Sequence, residues 1–190
     1  MRLTGCPMRC VWCDSEYTFT GGEKMEFGPI LEKLEGFGCN LVEVTGGEPL
    51  AQKNVFPFIA KLCDLGYEVL VESGNFVSTK ELDPRAKLIL DVKCPGSGES
   101  ERNHWENLER LVAGRDEVKF VVADLADVEY AVSVAEDYGL LGEGIVLLIS
   151  PVFGIPEIAS IAERCTSLPE GFRLNMQLHK YIWGPEAKGV

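Results

Sequence analysis

Leu41-Val42-Glu43-Val44-Thr45-Gly46-Gly47-Glu48-Pro49 is a short β-branched run that stops at two glycines and a proline. Valine and threonine suit a pleated strand, and the Gly-Gly-Glu-Pro tail marks its end. Beyond it, Val55, Phe58, Ile59 and Leu62 fall on one helical face, and Gly66 supplies a C-terminal stop. A strand followed by an amphipathic helix is the repeating unit of a parallel α/β sheet. The pattern recurs outward from this stretch. Candidate strands are Leu41–Thr45, Glu68–Glu72, Lys87–Val92, Glu117–Val122, Ile145–Ser150 and Phe172–Gln177. Further helical stripes are Ile30, Leu31, Leu34 and Phe37; Trp105, Leu108, Leu111 and Val112; Val128, Ala131, Val132 and Ala135; and Ile158, Ile161, Ala162 and Cys165. These read as core-facing surfaces. Pro84, Pro95, Gly96 and Gly98 punctuate the loops without a repeat or linker, so one domain is the economical reading.

Polar or glycine-rich residues recur where the strands end: Gly46-Gly47-Glu48-Pro49, Ser73-Gly74, Lys93-Cys94-Pro95 and Ser150-Pro151. In a parallel barrel or open parallel sheet, these carboxyl ends open on one face, where ligands bind. Each segment alone is consistent with an ordinary turn. Four of them on one rim indicate a site.

Upstream of the quoted stretch stand three cysteines, Cys6-x3-Cys10-x2-Cys13. Thiolates this closely spaced suit a metal. Electron-transfer clusters normally take four cysteines, which close the iron off from substrates. A 4Fe–4S cluster held by three can instead offer its fourth iron to a small molecule. A zinc knuckle missing one ligand is the alternative, although the paired C-x2-C arms of common zinc sites are lacking. Cys39, Cys63, Cys94 and Cys165 show no framework and are expected to be free, buried thiols. The chain has 190 residues, 46% hydrophobic and 25% charged, which is ordinary for a folded domain. A net charge of −12 argues against a nucleic-acid surface, where basic patches are expected. No run approaches the roughly 18 apolar residues of a membrane span, and no signal peptide precedes the cysteines, so the expected location is cytoplasmic.

Cys6-Pro-Met-Arg-Cys10-Val-Trp12-Cys13 resembles the cluster motif of the radical S-adenosylmethionine superfamily, with an aromatic residue before the third cysteine. Thr45-Gly46-Gly47-Glu48-Pro49 resembles that superfamily's second signature. Cys13-Asp14-Ser15, Asp91-Val92-Lys93-Cys94-Pro95, Ser150-Pro151-Val152-Phe153-Gly154 and the segment Gln177-Leu178-His179-Lys180-Tyr181-Ile182-Trp183-Gly184 are similar to the 7-carboxy-7-deazaguanine synthase family, nearly end to end. The resemblance implies an incomplete (β/α) barrel of about six parallel strands, a homodimer, and three cofactors: a 4Fe–4S cluster, S-adenosylmethionine and Mg2+. The implied reaction is a radical ring contraction of 6-carboxy-5,6,7,8-tetrahydropterin to 7-carboxy-7-deazaguanine with loss of ammonia. It feeds 7-deazapurine biosynthesis, including the queuosine and archaeosine modifications of tRNA. A reductant such as flavodoxin would supply the electron that cleaves the sulfonium, and the resulting deoxyadenosyl radical would take hydrogen from C6 of the pterin. No side chain beyond the cluster and cofactor is assigned a catalytic role.

By the same resemblance, Cys6, Cys10 and Cys13 hold the cluster. Trp12, Cys13, Asp14, Gly46, Gly47, Glu48, Ser73, Asp91, Lys93 and Ser150 line the adenosylmethionine. The two glycines lack Cβ atoms, so the backbone can approach the methionine moiety. The alternative for that pair is a plain strand-end turn. Ser15 stands where family members use a threonine oxygen for Mg2+; its alternative is a helix N-cap. Arg2 suits the pterin carboxylate, Thr45 and His179 contact the ring or its polar edge, and Pro185 lies where some members use a C-terminal carboxylate. His179 could equally be structural.

Two departures accompany these expectations. Family members carry a further upstream strand with a Gln-Gly-Glu-Gly segment that grips the substrate. This chain begins at Met1-Arg2-Leu3, inside the strand leading to the cluster loop, so residues 1–190 read as a domain lacking its first strand, with a start site set too late. At the other end, Glu186–Val190 follow Pro185, which leaves the carboxylate contact open. The competing readings are a glycyl-radical-enzyme activase, which would share the barrel and the first two motifs, and a non-catalytic zinc module.

Overall fold

The computed structural model describes residues 1–188. Seven parallel strands form one sheet in strict chain order: β1 Arg2–Leu3, β2 Leu41–Gly46, β3 Glu68–Ser73, β4 Lys87–Asp91, β5 Glu117–Val122, β6 Val146–Pro151 and β7 Phe172–Leu174. Among the described residues five α-helices accompany them: α1 Phe27–Gly36, α2 Val55–Asp64, α3 Leu125–Asp137, α4 Ile158–Cys165 and α5 Leu178–Trp183. Parallel crossovers are right-handed. When each moves one strand in the same direction, the helices collect on one face of the sheet. β1 and β7 do not pair with each other, so the barrel stays open.

This winding decides where the core lies. Val42, Val44, Val69, Val71, Leu88, Leu90, Val118, Phe120, Leu147 and Ile149 are buried in one cluster with Phe58, Ile59 and Leu62 of α2, Val128, Ala131 and Ala135 of α3 and Ile161 of α4. The residues between them on the strands point the other way. They include Glu43, Glu68, Glu72, Lys87, Asp91, Glu117 and Lys119, so the face turned from the helices carries charges among apolar residues such as Leu70, Ile89 and Leu148.

Five of the seven strands stand within a residue of where alternation predicts them, and a sixth, expected over Phe172–Gln177, ends at Leu174. The seventh, Arg2–Leu3, pairs with Thr45 and Gly46. Other expectations shift. Phe37 lies just beyond α1 and is 79% exposed rather than core-facing. Trp105–Arg110 winds as a 3-10 helix, whose three-residue period sets Trp105 and Leu108 along one edge. Val112, beyond it, is 45% exposed. Of the four scattered cysteines, Cys94 is buried and Cys63 and Cys165 are partly buried, but Cys39 is exposed. Among the described residues no helix is long and apolar enough to cross a membrane.

Phe120 of β5 is fully buried. Phe120→Ala should lower unfolding stability by about 3–5 kcal/mol in urea titrations, with the midpoint falling and the slope unchanged.

Candidate active site

The cysteine loop springs from β1 and lies on the end of β2. Gly47 N donates to Leu3 O at 3.0 Å, and Glu48 N donates to Gly5 O at 2.9 Å. A Cβ on Gly47 would stand 2.6 Å from Gly5 O and 2.8 Å from Cys6 Cβ. One on Gly46, at φ +149°, would stand 2.1 Å from Leu3 O. The glycine pair is required by the backbone that carries the cysteines.

Cys13 N donates to Cys10 O at 3.1 Å, and Val11 N donates to Ser97 O at 3.0 Å in the loop after β4. The Trp12 ring closes over Gly96, where a Cβ would meet it at 2.9 Å. Cys6, Cys10 and Cys13 are all free and half-buried. Burial pushes the Cys10 thiol up, opposed by the nearby Lys93 ammonium, and pushes Cys13 up as well. Among the described residues, no three His, Cys, Asp or Glu side chains converge as ligands of a single ion. A four-iron cube takes its thiolates one to an iron, and three cysteines on one loop are a donor set of that kind.

Glu48 is fully buried. Its carboxylate accepts from Leu50 N at 2.9 Å, Ser73 Oγ at 3.1 Å and Gly74 N at 2.7 Å. Burial pushes its pKa up, and these donors offset part of that rise. Glu48 therefore ties the end of β2 to the end of β3 through the chain's own groups. Gly74 is needed beside it, since a Cβ there would meet Met8 Cε of the cysteine loop at 2.3 Å.

Next along the rim lies a network of four charges. Thr45 Oγ1 donates to Glu72 Oε2 at 2.9 Å, and Lys119 pairs with Glu72. Lys119 Nζ also lies 3.5 Å from Asp91 Oδ2, which Lys93 Nζ approaches to 3.0 Å. Lys119 holds the Glu72 carboxyl below its usual range. Burial works against the charge on Lys93 and Lys119, yet their carboxylate partners raise both pKa values overall. Among the described residues, Asp91 Oδ1 is buried without a hydrogen-bond partner. Such an acceptor is costly to leave unmet and suits a donor from a ligand. Glu72 and Lys119 escaped the sequence reading, although charges at alternate positions of apolar strands were the signal. Asn75, Asn103 and Asn107 escaped it too. Asn103 accepts from Lys93 N and donates to Lys93 O, both at 2.9 Å, and Asn107 Nδ2 donates to Asn75 Oδ1 at 2.9 Å.

From the far end of the chain, α5 reaches the residue after the third cysteine. Asp14 Oδ2 accepts from Gln177 Nε2 at 2.7 Å and from Lys180 Nζ at 3.0 Å. Although burial opposes it, Lys180 holds the Asp14 carboxyl below the usual range. Ser15 precedes a 3-10 turn over Glu16–Thr18, but its hydroxyl does not cap that turn; it donates to Asp14 Oδ1 at 3.0 Å. His179 is half-buried, Pro185 is exposed, and Ser150 is buried at the end of β6. Arg2 is exposed, with Nη1 3.4 Å from Gly46 O.

A cysteine triple on the loop after the first strand of an open, singly wound barrel defines a radical S-adenosylmethionine domain. The model of the Radical SAM superfamily matches residues 2–95. The fold matches that of Streptococcus suis SuiB, with a TM-score of 0.65 at 10% identity; 92% of this chain aligns with 47% of SuiB. A SuiB structure bound to S-adenosylmethionine aligns with a TM-score of 0.62. Relatives named 7-carboxy-7-deazaguanine synthase are 39% identical in Koribacter versatilis and in Chlorobaculum tepidum, and 32% identical in Thermoplasma acidophilum. These alignments take in at least 97% of this chain and 87–90% of each relative. The chain belongs to the 7-carboxy-7-deazaguanine synthase family of radical S-adenosylmethionine enzymes.

With Lys119 in place, the stability that Glu72 contributes is fully present above its ordinary pKa and is lost as pH falls through its lowered folded value. Lys119→Met leaves a largely buried carboxylate without its main cation, and burial then pushes Glu72 upward. The variant should be less stable by about 2–3 kcal/mol at neutral pH, the lower end for a broken buried pair that water partly reaches. The deficit should shrink as acidification protonates Glu72. Thermal unfolding across a pH series checks this, and a deficit independent of pH contradicts it.

Proposed function

We propose that this chain converts 6-carboxy-5,6,7,8-tetrahydropterin to 7-carboxy-7-deazaguanine with loss of ammonia, in 7-deazapurine biosynthesis. The observation that carries the reading is the closure of the Gln177–Lys180 segment, its most family-specific part, onto Asp14 beside the third cysteine. Relatives named as synthases that align over the whole of this chain favour it over a glycyl-radical activase or a zinc module. Cys6, Cys10 and Cys13 hold a 4Fe–4S cluster, which with adenosylmethionine supplies one-electron sulfonium cleavage and hydrogen abstraction. Gly46, Gly47, the backbone at Ser73, Lys93 and Ser150, and Trp12 to Asp14 would form the wall that holds adenosylmethionine. Glu48 and Lys93 act there by holding that wall in shape.

Asp91 Oδ1 takes a donor from the bound ligand, while Oδ2 stays with Lys93 and Lys119. The Arg2 guanidinium reads the pterin carboxylate, and Thr45, His179 and Glu72 meet the polar edge of the ring. Thr45 carries its hydroxyl proton toward Glu72, which leaves its lone pairs for a substrate N–H. Ser15 offers one hydroxyl to Mg2+, which keeps waters or substrate oxygens for the rest of its shell. The working assembly is a cytoplasmic homodimer fed by a reductant such as flavodoxin.

The test is anaerobic reconstitution with iron, sulfide, Mg2+, reductant and the carboxypterin, followed by mass spectrometry. The expected product has lost ammonia. An unchanged pterin beside intact sulfonium cleavage would reject the substrate while leaving the enzyme class standing. Cys10→Ala should cleave no adenosylmethionine, and retained cleavage contradicts the ligand assignment.

A further inference from the structure

The segment after β4 grips the backbone between the first two cysteines from both sides. Arg9 N donates to Glu99 Oε1 at 2.6 Å, and Arg102 Nη1 donates to Pro7 O at 2.8 Å. The same Nη1 lies 2.9 Å from Glu99 Oε2, so the two side chains that hold the loop also hold each other. Glu99 is 8% exposed, and the Arg102 guanidinium lies over the Phe76 ring at 4.4 Å. That stacking fixes the guanidinium from a third direction. Ser97 extends the grip: its carbonyl accepts from Val11 N at 3.0 Å, and its hydroxyl oxygen accepts from Glu99 N at 3.1 Å. Neither Glu99 nor Arg102 belongs to the residues that handle substrate or adenosylmethionine.

We propose that Glu99 and Arg102 are positioning residues for the iron–sulfur cluster, a neutral two-charge clamp that presets the Pro7–Arg9 backbone so that Cys6 and Cys10 are held ready for iron. The proposal rests on the three-cysteine ligand set above. A loop of this length, free in solution, loses conformational entropy when it wraps a cluster; a clamp that orders it beforehand spares the binding step that loss. Partners one layer out from a metal commonly govern its retention in this way.

The experiment compares the parent chain with Glu99→Ala, Glu99→Gln, Arg102→Met and, as a control for general destabilisation, Ile161→Val in α4. In the metal-free chains, hydrogen–deuterium exchange of the 6–13 segment should accelerate in Glu99→Ala and Arg102→Met but not in Ile161→Val. After anaerobic reconstitution, those two variants should lose iron to a chelator about tenfold faster than the parent. Glu99→Gln, which keeps an acceptor for Arg9 N, should fall between. Unchanged exchange and unchanged iron release overturn the clamp, as does equal acceleration in Ile161→Val at matched melting temperature. A parent chain that takes up no iron overturns the cluster reading and the clamp with it, and is recognised because it appears before any variant is compared.

Discussion

The contact of two backbones at the end of β2 governs everything around the site. Gly46 and Gly47 let the segment Leu3–Cys6 lie directly on the strand end, closer than any Cβ permits. Two hydrogen bonds fasten it there. Once that seat is fixed, Met8 is pressed against Gly74, Trp12 against Gly96, and Val11 is bonded to Ser97. The cysteine loop is thus held by the ends of three consecutive strands. Glu48, one residue past the seat, binds the second of those ends to the first from underneath.

The chemistry of the rim follows from the winding of the sheet. Strands added one after another in the same direction, with right-handed crossovers, gather their helices on one face. The other face is then free to carry charge. Glu72, Asp91, Lys93 and Lys119 occupy it with two charges of each sign, arranged so that every carboxylate has an ammonium neighbour. Buried charges need such compensation. Among the described residues, Asp91 Oδ1 is the buried side-chain polar atom left without a hydrogen bond, which is why the proposed ligand contact falls there.

Much of this was legible in the residues. Alternation located β2 to β6 to within a residue or two, because each strand buries one face against helices. β7 ends at Leu174 rather than Gln177, since the chain turns off the sheet after Asn175 N bonds Ile149 O. β1 has only two residues, too few for periodicity to register. The cysteine triple and the Gly-Gly tail pointed to a site, but not to their mutual packing, which is the structural reason for the glycines. Glu72 and Lys119 were visible in principle: a parallel strand covered on both faces should be almost wholly apolar, and these strands are not. Glu99 and Arg102 were not visible, because each meets the cysteine loop from 90 or more residues away and no local pattern links them.

The account turns on three thiolates leaving one iron open to adenosylmethionine. Hyperfine spectroscopy of the reduced, reconstituted chain, with adenosylmethionine isotopically labelled at its amino nitrogen, addresses that point most directly. Direct coupling between the label and the cluster is the predicted result. A cluster whose spectrum ignores the added label, or one that forms equally well without Cys6, Cys10 and Cys13, contradicts it.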